Sequence, residues 1–219
     1  MLQIEKAPIT TIFIVCATIV YSTFVSYSLT DSFIGKISII DLEKYGGLTP
    51  NRLYEFEYWR LLVSQFIHVK QLHMAYNVIS FSILGVLLEK HFGSKFLLVL
   101  WFTSGALGTL YSTNFVSYPW NIGTGASQAV LGVSSFALLL VFVKEHTSSI
   151  LKFAVVFSML PAIALDLIYA HYPKPGHVLS ICIGLAMSLF FYRKNKSYFL
   201  HSHNKCNIVT NEVNEWVFL

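Results

Sequence analysis

The chain has 219 residues, of which 55% are hydrophobic and 12% charged, with a formal net charge of +4; its mean hydropathy is +0.61. A soluble domain carries about 25% charged residues, so this composition speaks against a cytosolic enzyme and against a disordered protein. The apolar residues come in runs near the length of about 20 that crosses a bilayer, and the short alternating strands of a membrane barrel are absent. The expected fold class is all-α: a polytopic membrane helical bundle with six transmembrane helices.

The first apolar run covers about residues 9–27. Glu5 and Lys6 precede it, as in a signal peptide. The run is long, however, and no small-x-small cleavage site leads into a soluble domain, so a retained span is expected. Residues 28–69 form a long first loop, rich in rings and charges (Tyr54, Phe56, Tyr58, Trp59, Arg60) that suit a membrane interface. The second span is about residues 72–88 and the third about 96–111. Pro119, Gly123 and Gly125 punctuate the loop that follows. The fourth span is about residues 126–143. The fifth, about 150–169, contains Pro161 and Asp166. Pro173, Pro175 and Gly176 mark the last loop, and the sixth span is about residues 177–192. The expected organisation is a cytoplasmic N-terminus at 1–8, a membrane domain at 9–192 and a cytoplasmic tail at 193–219.

Charge sets the expected orientation. Six spans put both ends on one side, with Lys6, Lys90, Lys95, Lys144, Lys152, Arg193, Lys194, Lys196 and Lys205, nine of the 15 basic residues, against five acids. The other side has six of each. Both termini are therefore expected in the cytoplasm. The basic residues are scattered at span ends, which speaks against nucleic acid as a partner. Cys16, Cys182 and Cys206 are odd in number and far apart, so neither a disulfide framework nor a cysteine metal site is expected.

Polar residues inside hydrocarbon need a reason, because each costs a few kcal/mol. His73 and Asn77 lie four apart in the first turns of the second span, on one helix face. Ser127 begins the fourth span, just after Gly125, and His177 opens the sixth. These three spans enter from the same, non-cytoplasmic side, so the four residues share a depth. Serine needs a base to become a nucleophile, and a neutral imidazole supplies one. Asn77, His73 and backbone N–H groups at the start of the fourth span are candidate donors to the oxyanion formed on attack. No acid lies at this depth on the three spans, so the reading is a Ser127–His177 dyad. Asp166 on the fifth span is the one acid able to extend it to a triad. Taken singly, each residue has a structural alternative: a packed serine, an interfacial histidine, an asparagine joining helices. Gly176, Ser180 and Gly184 form a small-xxx-small series that reads first as close packing. His68 and His73 are five apart, which would put them on different helix faces and speaks against a metal.

On these residues the chain resembles the rhomboid intramembrane serine proteases, over roughly residues 59–189. Gly125-Ala126-Ser127 resembles the family's G-x-S motif, His177 with Gly184 its last-span motif, and His68, His73 and Asn77 its H-x4-H-x3-N pattern. Trp59-Arg60 resembles the pair in its first loop, and Gly85, Glu89 and Gly93 the end of its second span. The resemblance implies Ser127 as nucleophile, His177 as general base, and Asn77 and His73 on the oxyanion side. Trp59, Arg60, Glu89, Gly125 and Gly184 would be structural support. It implies no cofactor and no metal, a lipid bilayer, single-span transmembrane proteins as substrates, and the fifth span with its following loop as a gate. The expected location is a plasma or inner membrane. Gln128 and Ser180 stand where the family usually has glycine, and Leu131 stands where an aromatic ring often stacks on the histidine. Both chemical residues are nevertheless retained. The alternatives are an inactive rhomboid-like protein that binds transmembrane helices, and a transporter or channel.

Overall fold

The computed structural model describes residues 7–143 and 148–194. Glu5, Lys6, Lys144, Glu145, Lys196, Lys205, Glu212 and Glu215 of the charge count, Cys206, and most of the expected N-terminal and C-terminal segments lie outside the described residues. Eight α-helices are described: α1 (Ile9–Thr30), α2 (Pro50–Tyr54), α3 (Arg60–Val63), α4 (Gln71–Phe92), α5 (Ser94–Phe115), α6 (Ser127–Phe142), α7 (Ser149–Tyr169) and α8 (Pro175–Lys194). The six long ones are the six expected spans. Five of them are long and apolar enough to cross a membrane, while α6, at 16 residues, is shorter. Among the described residues the only extended pairing is an isolated bridge between Leu48 and Gly123. The protein is a polytopic helical membrane bundle.

Local chemistry sets several of the boundaries. Gly93 alone separates α4 from α5, and its φ of +82° is a conformation that favours glycine. Pro175 sits at the start of α8, where its missing N–H leaves no helical bond unmade. Pro161 lies inside α7, yet the helix continues through it.

Helix α6 is the centre of the bundle and packs against α4, α5, α7 and α8. It is buried on nearly every side, through Ala129, Val130, Leu131, Val133, Phe136, Ala137 and Leu140, as expected of a helix apolar all round. The outer helices are apolar on both sides but bury only one: α1 exposes Ile12, Phe13, Val20 and Phe24, and α7 exposes Val156, Leu160 and Ile168. Such outward apolar faces suit lipid. Small residues bring α6 and α8 together. A side-chain carbon on Gly184 would lie 2.0 Å from the Gly132 carbonyl oxygen and 2.1 Å from Ser135 Oγ, so only glycine permits this approach.

The long first loop does more than its ring-rich composition suggests. Tyr54, Phe56, Tyr58 and Trp59 are exposed, but Arg60, Ser64, Gln65 and His68 are buried. Arg60 lies over the Trp59 ring at 4.6 Å, pairs with Glu57 at 2.7 Å and donates to the carbonyls of Glu43 and Gly47. One guanidinium thereby gathers the loop's carbonyls into a plug resting on α1 and α5. Glu89, at the other end of the bundle, accepts the N–H groups of Thr10 and Thr11, each at 2.8 Å, and so caps α1.

Candidate active site

The first-loop plug holds the segment leading into α6. Leu48 and Gly123 exchange backbone hydrogen bonds of 3.0 and 2.7 Å. The N–H of Gly125 donates to the Ser64 carbonyl at 2.9 Å. Gly125 has φ +95°, outside the range side-chain-bearing residues favour, and this turn delivers Ser127 to the first position of α6. The glycine of the G-x-S motif is thus a conformational requirement.

Ser127 Oγ lies 2.9 Å from His177 Nε2. Each of the two residues is 6% exposed, so the contact is sheltered yet reachable. Neither Gln128 nor Ser180 holds the helices apart. Ser180 Oγ lies within hydrogen-bond reach of the carbonyls of Ser104 (2.9 Å) and Gly176 (2.8 Å), its one proton going to either, and its bulk faces Gly108 on α5. Glycine at position 108 of α5 leaves the room that the Ser180 side chain on α8 fills. Gln128 Oε1 lies 3.2 Å from Ser127 Oγ and is a second acceptor for the serine proton.

On its other edge the His177 ring has a second partner. Its Nδ1 lies 2.6 Å from Asp166 Oδ2. Asp166 is buried, one turn before the end of α7, and also accepts the Lys174 N–H at 3.1 Å. Asp166, the one acid expected to be able to extend the pair, lies on the fifth span. An odd-numbered span leaves on the side where the even ones enter, so its last turn shares their first turns' depth. Five residues join α7 to α8, and that short loop is the sequence signal for the contact.

The candidate oxyanion residues are near but make no hydrogen bond to the pair. Asn77 is buried, with Nδ2 3.2 Å from His68 Nε2. The Ala126 N–H also points at His68 Nε2, again at 3.2 Å. Two N–H groups facing one nitrogen make it an acceptor, so the His68 proton sits on Nδ1. Burial holds the His68 ring well below the ordinary histidine range, which keeps it neutral and fits that tautomer. Asn77 consequently turns its amide NH2, a donor with a second hydrogen to spare, toward this region. His73 is exposed, within electrostatic range of His177 and Asp166, and its ring meets that of His68 edge-on at 5.6 Å. The expectation that His68 and His73 sit on different faces of one helix is therefore wrong. His68 precedes α4, and extended backbone at Ile67 and Lys70 folds its ring back. His68 ties the second-span asparagine to the serine loop.

The N–H groups of Ser127, Gln128 and Ala129 open α6 and have no intrahelical acceptor, since the first helical bond to this turn is from Val130 to Ala126. They form a ready site for developing negative charge. The arrangement thus combines a hydroxyl, an acceptor nitrogen against it, and donors beside it. Those are the parts of acyl-transfer chemistry.

Comparison with known proteins gives the chain a family. Residues 55–194 match the family model described as Rhomboid domain. Among curated relatives, "RHOMBOID-like protein 1" of Arabidopsis thaliana is 29% identical over 172 residues, 76% of this chain and 43% of that protein. "Inactive RHOMBOID-like protein 8" of the same plant is 30% identical over 148 residues, 66% of this chain and 41% of that protein. "Rhomboid protease GluP" of Bacillus subtilis (strain 168) is 29% identical over 98 residues, 45% of this chain and 19% of that protein. The chain spans less than half the length of each of these relatives. The family model covers well over half of the chain: the chain belongs to the rhomboid family.

Proposed function

We propose that the chain is an intramembrane serine endopeptidase that cleaves transmembrane segments of single-span membrane proteins near the non-cytoplasmic face. The observation that carries this reading is the buried 2.9 Å contact between Ser127 Oγ and His177 Nε2. A helical substrate bonds its own backbone and must open locally before attack. Ser127 Oγ adds to the exposed carbonyl carbon while its proton passes to His177 Nε2. The oxyanion is stabilised by the Asn77 amide, the His73 ring and the Ser127 backbone N–H. His177 then protonates the departing amine, the C–N bond breaks, and water hydrolyses the acyl-enzyme by the same route in reverse. Both ends of the chain face the cytoplasm of a plasma or inner membrane in this reading, and residues 193–219 are a cytoplasmic tail.

Purified full-length protein in liposomes, given a panel of single-span substrates, tests the proposal. Wild type cleaves at least one of them near its outer end, and Ser127→Ala lowers the rate by about 10³-fold or more. Equal cleavage by Ser127→Ala overturns the assignment. A helix-binding protein without activity is the second reading, favoured by the relative named inactive. It predicts that no fluorophosphonate label is attached at Ser127.

A further inference from the structure

We propose that Asp166 is the positioning residue for His177, so that this chain works through a Ser127–His177–Asp166 triad. The inference rests on the protease reading above and deepens it. The carboxylate accepts the ring proton: Asp166 Oδ2 lies 2.6 Å from His177 Nδ1. An imidazole that gives its Nδ1–H to a carboxylate carries its lone pair on Nε2, the atom 2.9 Å from Ser127 Oγ. The chain of contacts therefore selects the one tautomer able to take the serine proton.

A plain loop anchor would need only the Lys174 N–H, which Asp166 Oδ2 accepts at 3.1 Å. The same oxygen nevertheless also takes His177, at the shorter distance. Oδ1 faces the half-exposed Lys174 ammonium at 3.4 Å. The carboxylate is thus held from both sides within a buried site and has little freedom to rotate away. Asp166 is the side chain hydrogen-bonded to the His177 Nδ1. Asp166 also belongs to α7 while His177 belongs to α8. The ring's orientation consequently depends on how these two helices meet.

The proton account is simple. On attack the Oγ–H bond breaks, and its proton goes to Nε2. The imidazolium keeps its Nδ1–H, bonded to a carboxylate that stays ionised throughout. The positive charge that appears on His177 is met by a fixed negative charge at 2.6 Å, a gain realised only after the proton has moved.

The test uses full-length protein and a biotinylated alkyl fluorophosphonate, which needs no knowledge of the natural substrate. Ser127 Oγ forms the O–P bond, fluoride leaves, and the serine proton departs through His177. The dependence of labelling on probe concentration separates the maximal rate, kinact, from apparent binding, KI. Asp166→Asn, nearly identical in shape, is expected to lower kinact about 100-fold or more and to leave KI within about twofold. Asp166→Ala is expected to fall at least as far. Thermal unfolding in the same detergent checks that both Asp166 variants remain folded. Should Asp166→Asn hold kinact within about threefold of wild type while Ser127→Ala takes no label, the triad is overturned and the dyad stands. A drop confined to KI or to the unfolding temperature makes Asp166 a loop anchor and also overturns it. Absence of Ser127 labelling in wild type removes the protease reading, and the triad with it.

Discussion

The Tyr76 hydroxyl on α4 lies 2.9 Å from the carbonyl oxygen of Phe157 on α7. That oxygen is the one Pro161, four residues on, leaves without its helical N–H. A contact to the Ser158 carbonyl, at 2.8 Å, accompanies it. A proline that interrupts the ladder of one helix has thus been given a donor from its neighbour, and α7 continues through it. Tyr76→Phe keeps the ring and removes the donor. It is expected to cost about 1 kcal/mol, read as a lower unfolding temperature in detergent. It loosens α7 against α4, the side on which family resemblance places the gate. No change in unfolding would show that water satisfies this carbonyl equally well.

Glu89 holds four groups with two oxygens. Oε1 accepts Thr10 N–H at 2.8 Å and Ser94 Oγ at 2.6 Å, and Oε2 accepts Thr11 N–H at 2.8 Å and Thr11 Oγ at 2.7 Å. Glu89→Gln puts an amide donor against these donors and removes the charge at the N-terminus of α1. A loss of about 2–3 kcal/mol is expected. Equilibrium unfolding in mixed detergent and denaturant measures it. The site chemistry lies at the opposite end of the bundle, so label uptake by folded protein stays near wild type.

Gly108 and Ser180 are a matched pair. A side-chain carbon on Gly108 would meet Ser180 Oγ at 2.1 Å. Gly108→Ala is expected to destabilise by about 1–3 kcal/mol through overpacking. Adding Ser180→Gly recovers part of this. Recovery is incomplete because the Gly176 carbonyl (2.9 Å) and Gln128 Cβ (3.0 Å) still crowd the new methyl. A double-mutant cycle on unfolding free energy gives the coupling, and strict additivity of the two changes would refute the pairing.

Gln128 competes for the serine proton. Its Oε1 stands 3.2 Å from Ser127 Oγ, opposite an imidazole nitrogen at 2.9 Å. Gln128→Ala removes that acceptor while keeping the Cβ that packs on Gly108. Fluorophosphonate labelling is expected to rise, by about twofold if the two acceptors share the proton equally. A slower reaction would mean that the Gln128 amide helps the nucleophile instead.

The number and order of the long helices were legible in the amino-acid sequence, because run length and hydropathy are local quantities that a bilayer reads directly. The second span, expected at residues 72–88, is Gln71–Phe92, and the fifth, expected at 150–169, is Ser149–Tyr169. The common depth of Asn77, Ser127 and His177 followed from the same counting. What counting along the chain did not reach was rotation about each helix axis. Neighbouring helices and lipid are equally apolar, so the faces of a membrane helix look alike in hydropathy. Only the tertiary structure decided that Asp166 meets His177, that His68 folds back to the serine loop, and that Gly108 makes room for Ser180. Each of these joins segments that hydropathy treats separately, through hydrogen bonds and contacts of a few ångströms whose geometry depends on how the helices cross.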